Sequence, residues 1–227
     1  MRMLGLALRR RWLRGKHSES PFAEFLSAPL PESGAPFNDC EFVCLDIETT
    51  GLDAKTADLL SVGWVVIRNG RVDLSTSETH LIRPENDVGD SASVHGLTDT
   101  QVSRGKDQAL VFSRVVEVLT GRILVVHHAG LDKALLDRLC TARFGPALPL
   151  PVVDTLALEL RRQQRRHHVS ENQSLRLGDL RERYNLPYYQ AHDCLVDAIS
   201  TAELLIAMVA THDGADNTRL GQLVTGT

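Results

Sequence analysis

The sequence has few cysteines and few aromatic residues. Aromatic residues make up 5% of the chain, and its four cysteines show no CxxC spacing. The cysteines are Cys40, Cys44, Cys140 and Cys194. Structural zinc sites and disulfide-rich domains need paired or closely repeated cysteines. The sequence therefore argues against both a disulfide framework and a zinc knuckle.

Long apolar runs are also missing. No stretch approaches the roughly 18 apolar residues of a membrane span, and the N-terminal run LGLAL is too short for the core of a secretory signal. We therefore expect a cytoplasmic protein without a transmembrane segment. With 227 residues, of which 43% are hydrophobic and 24% charged, the chain is long enough for one globular domain with a substantial core.

Acidic residues are absent from one end of the chain. Residues 1–17 carry six cations and no acid, although the net charge of the whole chain is −4, so the remainder carries −10. A body of that charge repels phosphate on average, so a nucleic-acid partner requires local basic patches. One candidate is the run RRQQRRHH at residues 161–168, which by itself is more typical of a solvated helix face.

The basic segment precedes a region rich in proline and serine. Residues 18–40 contain four prolines and several serines, which predicts a mostly irregular linker. As a helix, the basic segment would place Leu4, Leu8 and Trp12 on one stripe. We expect this segment to add affinity for nucleic acid or a protein partner, with a membrane surface as the alternative. The predicted organisation is a basic segment and linker at 1–40, a domain at 41–212 and a short C-terminal tail at 213–227.

Hydrophobic periodicity predicts an α/β fold. The stretch FVCLDIETTGLD begins with an apolar strand, and two further apolar runs flank Asn69-Gly70, a strong hairpin signal. The run RILVVH at residues 122–127 suits a buried strand. Helical spacing is found at 108–120, with Asp107 as N-cap, and at 131–143, 154–166, 175–184 and 193–210. A meander followed by helices and a further strand predicts a mixed sheet covered on its faces.

Two carboxylates lie in the first strand. Because side chains alternate across a strand, Asp46 and Glu48 point to the same side as Cys44. Like charges at that separation raise each other's pKa and oppose folding unless a cation lies between them. The alternative is that Asp46 ends the strand and begins a turn, with Glu48 solvated beside it. These two residues alone do not decide between the two interpretations.

Further acids follow in the helical regions. Asp132 lies at the start of a helix, where its charge suits the helix dipole, and ligand sites of open α/β sheets collect at such positions. Asp197 adjoins a buried apolar stripe of the last long helix, where an acid requires a partner. Asp193 is the predicted N-cap of that helix, which leaves His192 just outside it.

The order and spacing of these residues resemble the DEDDh family of 3'-to-5' exonucleases, which includes the proofreading (epsilon) subunit of bacterial DNA polymerase III. The matching motifs are DIETTGLD, HHAGLD and HDCLVDA, with weaker similarity in VHGLT at 94–98 and VDTLAL at 153–158. The resemblance covers roughly residues 41–210 and implies an RNase H-like mixed five-stranded sheet flanked by helices. Three positions depart from the family pattern, His128, Leu131 and Cys194, and none of them is a catalytic position.

The resemblance implies a two-metal-ion mechanism. Hard divalent cations such as Mg²⁺ and Mn²⁺ prefer oxygen ligands, and a pair of them about 4 Å apart stabilises the attacking and leaving oxygens of phosphodiester hydrolysis. By family analogy Asp46 would bridge both ions, Glu48 and Asp197 would complete the ion on the nucleophile side, and Asp132 would support the other. His192 would act as the general base.

The same resemblance implies a substrate site beside the metals. Thr49, Thr50, Gly51 and Leu52 would hold the terminal nucleotide, with Leu52 against its base, and His95 would contact a phosphate or the 3' end. We therefore expect a 3'-to-5' exonuclease that releases nucleoside 5'-monophosphates from single-stranded or frayed ends of DNA or RNA. The alternatives are an RNase H-like endonuclease and a non-catalytic nucleic-acid-binding module.

Overall fold

A mixed five-stranded sheet lies at the centre of the computed structural model, which describes residues 2–18, 22–84, 104–165 and 174–226. The strand order is β3-β2-β1-β4-β5, with β1, β2 and β3 antiparallel and β1, β4 and β5 parallel. The strands are β1 (Phe42–Thr49), β2 (Leu59–Arg68), β3 (Arg71–Leu81), β4 (Ile123–Val126) and β5 (Val152–Asp154). This arrangement confirms the predicted α/β fold with a mixed sheet.

Helices cover the sheet on both faces. Within the described residues they are α1 (Arg2–Lys16), α2 (Phe22–Ser27), α3 (Gln108–Val118), α4 (Ala129–Phe144), α5 (Thr155–Arg165), α6 (Leu177–Arg183), α7 (Cys194–His212) and α8 (Leu220–Leu223). The five predicted helices correspond to α3 through α7. The Asp107 side chain accepts hydrogen bonds from two backbone N–H groups of α3, so the predicted N-cap is confirmed.

The hairpin between β2 and β3 is also confirmed. Asn69 and Gly70 both have positive φ, at 51° and 69°. Successive positive φ values at the two central residues match the twist of antiparallel strands, and asparagine and glycine tolerate them best.

The two faces of β1 belong to different hydrophobic clusters. Val43 and Leu45 pack with residues of α2, α3 and α4, whereas Phe42 and Cys44 pack with residues of α7. The alternation expected for a strand is therefore present, and the face that carries Asp46 and Glu48 is the one covered by α7.

The segment before β1 is more ordered than its prolines suggest. Residues 22–27 form α2, and Phe22, Phe25 and Leu26 are buried in the same cluster as Val43. The ring of Phe22 stacks on that of Phe144 with centroids 4.6 Å apart. The prediction of a mostly irregular linker is wrong for these residues, because three apolar side chains at helical spacing bury themselves against the domain.

The last residues of the chain also contact the sheet. Leu220, Leu223 and Val224 are buried, and the backbone N–H groups of Thr225 and Gly226 donate hydrogen bonds to Val152 O. The segment from 213 onward therefore packs against the edge strand β5 rather than extending away from it.

Helix α7 is long and apolar enough to cross a membrane by length and composition alone. Half of its most apolar stretch is buried inside the protein, and it packs on β1 and β2. Burial of this kind is what a core helix requires, so α7 is weak support for a membrane span.

Candidate active site

The carboxylates of β1 and α7 meet where α7 begins. Asp46 is half-buried and Glu48 is 8% exposed, and both lie on the face of β1 that α7 covers. Each of Asp46, Glu48 and Asp197 offers a carboxylate oxygen, and these three oxygens lie within 4.8 Å of one another. This metal cluster, as we call the three residues, has the oxygen donors and the spacing that a hard divalent cation requires.

Helix capping fixes the position of Asp197. The Asp193 side chain accepts hydrogen bonds from Leu195 N at 3.0 Å and Val196 N at 3.1 Å, as the sequence predicts for an N-cap. One turn into the helix, an oxygen of Asp197 accepts a hydrogen bond from His192 N at 2.9 Å. His192 has a left-handed backbone with φ 74°, and its side chain is exposed. The backbone of His192 is therefore hydrogen-bonded directly to one residue of the metal cluster.

A glycine that sequence inspection missed allows this approach. Gly63 of β2 pairs with Asp46 across the β1–β2 ladder. A Cβ atom at Gly63 would lie 2.5 Å from Leu195 N and 2.7 Å from Leu195 Cα, closer than real Cβ contacts allow. The first turn of α7 therefore rests directly on the backbone of β2.

Asp132 belongs to the same charged region but not to the metal cluster. It is 4% exposed in the first turn of α4, and its carboxyl accepts a hydrogen bond from the backbone N–H of Ile47. Strand β4 pairs with β1 only as far as Cys44, so this bond satisfies a β1 backbone group beyond the end of that ladder. Burial, together with the charges of Asp154 and Glu48, raises the pKa of Asp132 to about 8, although the hydrogen bond from Ile47 opposes the shift.

The pKa values of two metal-cluster residues are also raised. Burial raises the pKa of Asp46 well above its ordinary range, and the charges of Asp132, Glu48 and Asp197 add to that effect. Burial also raises the pKa of Asp197, although the hydrogen bond from His192 N opposes it. Carboxylates crowded out of water in this way are stabilised by a bound cation.

Asp154 is hydrogen-bonded to the backbone at the start of α4. Its carboxyl oxygens accept hydrogen bonds from His128 N at 3.0 Å and Ala129 N at 2.9 Å, and from Leu156 N at 3.0 Å. The same carboxylate therefore caps both α4 and α5. In the sequence, Asp154 is part of the motif VDTLAL, and that motif did not predict a role for the aspartate.

The segment before His192 is held by a buried arginine. Arg181 of α6 is 3% exposed and donates hydrogen bonds to Pro187 O at 2.9 Å and Ser200 O at 2.8 Å. Its guanidinium also lies 4.5 Å from the centroid of the Tyr189 ring. These contacts connect α6 and α7 to the chain that leads into His192.

An open cleft borders the metal cluster. Its volume is about 1270 Å³, and its lining includes Asp46, Asp197 and His192 together with His128 and Tyr188. Tyr188 is 86% exposed. The cleft is large enough for several nucleotides, and its lining offers carboxylates, imidazoles and an aromatic ring.

The predicted substrate-binding turn follows β1 at the same end of the sheet. Thr49 Oγ1 donates a hydrogen bond to Gly51 O at 2.6 Å, and Asp58 N donates one to Thr50 Oγ1 at 2.9 Å. Leu52 is 90% exposed at the tip. The four residues 49–52 are not part of the cleft lining described above. His95, the remaining predicted contact, lies outside the described residues.

The candidate basic patch is only partly described. Arg162 Nη1 lies 3.5 Å from Glu159 Oε2 and donates a hydrogen bond to Tyr184 OH at 2.5 Å. Arg161 Nη1 donates to Gln222 O at 3.3 Å. Residues 166–168 lie outside the described part of the chain. These two arginines therefore join helices of the domain, which favours a structural role for this part of the run.

Comparison with protein families and with known proteins agrees with this geometry. A family model described as "Exonuclease" matches residues 43–205. The chain is 28% identical over 189 residues to the PolC-type DNA polymerase III of Thermotoga maritima, covering 82% of this chain and 13% of that protein. It is 28% identical over 215 residues to a DNA polymerase III subunit epsilon-like protein of Rhodobacter capsulatus, covering 94% of this chain and 28% of that protein. The chain thus spans a minor part of both relatives.

Solved structures share the fold at low sequence identity. E. coli Exonuclease I in complex with a dT13 oligonucleotide superposes with a TM-score of 0.61 at 15% identity, covering 77% of this chain and 42% of that one. Exonuclease X in complex with 5' overhanging duplex DNA gives a TM-score of 0.57 at 20% identity, covering 80% of this chain and 99% of that one. The mixed five-stranded sheet flanked by helices is therefore the RNase H-like exonuclease fold.

Proposed function

The chain belongs to the exonuclease family, the DEDD-type 3'-to-5' enzymes that depend on divalent metal ions, and on that premise we propose that it shortens single-stranded or frayed nucleic acids from the 3' end. The products would be nucleoside 5'-monophosphates. One observation carries the proposal. Three carboxylate oxygens, of Asp46, Glu48 and Asp197, lie within 4.8 Å of one another beside an open cleft, and the backbone N–H of His192 donates a hydrogen bond to Asp197.

We propose that the four carboxylates hold two divalent cations. Asp46 would contact both, Glu48 and Asp197 would complete one site, and Asp132 would support the other. When bound, such ions lower the pKa of the attacking water and stabilise charge on the leaving oxygen. Mg²⁺ and Mn²⁺ are the expected metals, because all four ligands are carboxylates. The raised pKa values of Asp46, Asp132 and Asp197 support a cation at this position.

His192 is proposed to accept the proton of the attacking water. Its side chain is exposed and lines the cleft, and its backbone is fixed by the hydrogen bond to Asp197. Imidazole is the side chain that most often serves as a general base in catalysis. Arg181 and Asp193 position this histidine, because Arg181 binds the segment before it and Asp193 caps the helix after it.

The turn at residues 49–52 is proposed to hold the terminal nucleotide. Leu52 projects into solvent and is available to stack on the last base, while Thr49, Thr50 and Gly51 form the hydrogen-bonded base of the turn. His95 would contact the 3' end or a phosphate. A paired end costs a few kcal/mol to unstack, so single strands should be cleaved faster than duplex ends.

The substrate class and the location are proposed from the named neighbours and from the cysteines. The named neighbours include Exonuclease I with a dT13 oligonucleotide and Exonuclease X with 5' overhanging duplex DNA, which supports a nucleic-acid substrate. The proposal covers both DNA and RNA. The four free, buried cysteines agree with a cytoplasmic location.

An assay of cleavage direction on labelled oligonucleotides tests the proposal. A 5'-labelled DNA oligonucleotide and its RNA counterpart are incubated with Mg²⁺ or Mn²⁺, each with a 3'-hydroxyl or a 3'-phosphate, beside a circular single strand. Ladders that shorten only from the 3'-hydroxyl end are expected, because a 3'-phosphate adds charge where the turn holds a neutral hydroxyl. The Asp46→Asn protein is the inactive control and should lose Mn²⁺ affinity in calorimetric titration.

Three results would contradict the proposal. Cutting of the circular strand would favour the RNase H-like endonuclease, since a circle has no end to enter. Binding of oligonucleotides without any metal-dependent release of mononucleotides would favour the non-catalytic module. Equal rates for Asp46→Asn and the unmodified protein would remove the metal cluster from the mechanism.

A further inference from the structure

Helix α1 carries an apolar stripe that faces away from the protein. Leu4 is 68% exposed, Leu8 is 62% exposed and Trp12 is 60% exposed. Residues four apart lie on one side of a helix, so these three side chains form a continuous outer stripe. Single exposed leucines are ordinary, but three large apolar side chains in register on one helix require an explanation.

The opposite face of α1 is what attaches the helix to the domain. Leu6 and Leu13 are each 3% exposed, and Leu13 belongs to the same cluster as Val43. Between them, the guanidinium of Arg10 donates hydrogen bonds to the carbonyl oxygens of Pro149 at 2.9 Å and Ala28 at 3.1 Å. The buried face therefore holds α1 on the domain, and the helix is formed without a further partner.

Cations flank the stripe on both sides. At 100° per residue, Arg11 and Arg14 follow one edge of the stripe, and Arg9 and Lys16 follow the other. All four are exposed, and residues 1–17 contain no acid. Lys16 Nζ lies 3.9 Å from the centroid of the Trp12 ring, which places a cation beside the aromatic member of the stripe.

We propose that α1 binds anionic membrane surfaces, lying in the plane of the interface with Leu4, Leu8 and Trp12 inserted among the acyl chains and the flanking cations against lipid phosphates. An apolar centre with positive charge on both edges matches a surface that is apolar in depth and anionic all around. A nucleic acid would use the cations but leave the three apolar side chains in water. A protein groove would cover the stripe, but it would need acidic residues on both rims.

Tryptophan fluorescence offers a direct test. The chain has two tryptophans, and Trp64 is fully buried, so a change of emission on adding vesicles reports on Trp12. The protein is titrated with phosphatidylcholine vesicles that contain phosphatidylglycerol and, separately, with vesicles of phosphatidylcholine alone. We expect a blue shift and co-sedimentation with the anionic vesicles only, both weakened by added salt.

Variants separate insertion from simple charge attraction. The double variant Leu4→Gln with Leu8→Gln should lose the blue shift, while its melting temperature stays unchanged because both side chains are exposed. Arg11→Gln should weaken binding by about fivefold, the usual contribution of one cation near an anionic surface. Leu74→Gln, at a leucine of β3 that is 61% exposed, is the matched control and should bind vesicles normally.

Three outcomes would overturn the proposal. The first is no shift or co-sedimentation with anionic vesicles. The second is vesicle binding that survives in the Leu4→Gln, Leu8→Gln protein, which would mean charge attraction without insertion. The third is a Trp12 response to single-stranded DNA at lower concentration than to vesicles, which would make α1 a nucleic-acid contact. Nuclease activity on free oligonucleotides is independent of all three.

Discussion

Gly63 lies directly opposite Asp46 in the β1–β2 ladder, and the backbone of α7 occupies the space that a side chain at Gly63 would need. The close contact brings the first turn of α7 against the sheet beside the carboxylates of β1. Asp197 is in that turn, so the distance between Asp46 and Asp197 depends on the absence of a Cβ atom one strand away.

Gly63→Ala should therefore disturb the metal cluster without changing any of its members. The added methyl group would meet Leu195 N at 2.5 Å, and backbone cannot rotate aside as a flexible side chain can. We expect a loss of stability of about 1–3 kcal/mol, the usual cost of overpacking, and weaker Mn²⁺ binding. Thermal unfolding and calorimetric titration measure the two effects.

Gly34→Ala is the matched control for this variant. A Cβ atom at Gly34 meets nothing within 4 Å, so the same substitution there should leave Mn²⁺ affinity unchanged. If Gly63→Ala binds Mn²⁺ as tightly as the unmodified protein, the close approach of α7 is not what positions Asp197.

Local patterns predicted much of the site. The period of two placed Asp46 and Glu48 on one face, and the N-cap preference placed Asp193 at the start of α7, which left His192 just outside it. These are relationships between near neighbours in the chain. Gly63 and Asp154 were missed because their roles depend on strand register and on contacts with distant backbone groups, which no local pattern encodes.

The N-terminal region shows the same limit. The prolines of residues 18–40 predicted irregular structure, yet Phe22 and Phe25 are buried and stack with rings 5.2 Å apart. Burial of these rings against α4 outweighs the local turn signals, because each aromatic side chain removes a large apolar area from water. Periodicity indicates which residues can be buried, and tertiary contacts decide which of them are.

Asp154→Asn should disturb the site indirectly, through the start of α4. The Asp154 carboxylate accepts hydrogen bonds from the first backbone N–H groups of both α4 and α5, and an amide would turn a donor toward one of them. We expect a loss of about 1–3 kcal/mol, the range for hydrogen bonds to a charged group, together with lower activity because α4 carries Asp132. Denaturant unfolding and the oligonucleotide assay measure these effects.

Asp107→Asn provides the comparison. Asp107 caps α3 through Ala109 N and Leu110 N but is exposed and does not line the cleft. It should cost less stability than Asp154→Asn, and cleavage should be unaffected. Equal activity of the two variants would mean that Asp154 only stabilises the fold.

His192→Asn should separate metal binding from turnover. Asparagine tolerates the left-handed backbone that His192 adopts, with φ 74°, better than alanine does, so the hydrogen bond from residue 192 to Asp197 is retained. We expect cleavage to fall by about 100-fold or more, the usual contribution of a general base, with Mn²⁺ binding preserved. His212→Ala, at the far end of α7, should cleave normally. A wild-type rate for His192→Asn at neutral pH would exclude this residue as the base.

Asp132 should make the metal-free protein less stable as the pH rises. Burial raises the pKa of its carboxyl from 3.8 to about 8, so between these values the unfolded chain is ionised while the folded protein still holds the proton. The contribution of Asp132 to the free energy of unfolding is therefore fully present below the lower value, and it is lost as the pH rises toward the upper one. In EDTA, the melting temperature should fall over this range, and Asp132→Asn should reduce the slope. Mn²⁺ should reverse the trend, because it binds the ionised carboxylates and its affinity increases as they lose protons. A variant whose melting temperature in EDTA falls as steeply as that of the unmodified protein would show that Asp132 ionises freely in the folded state.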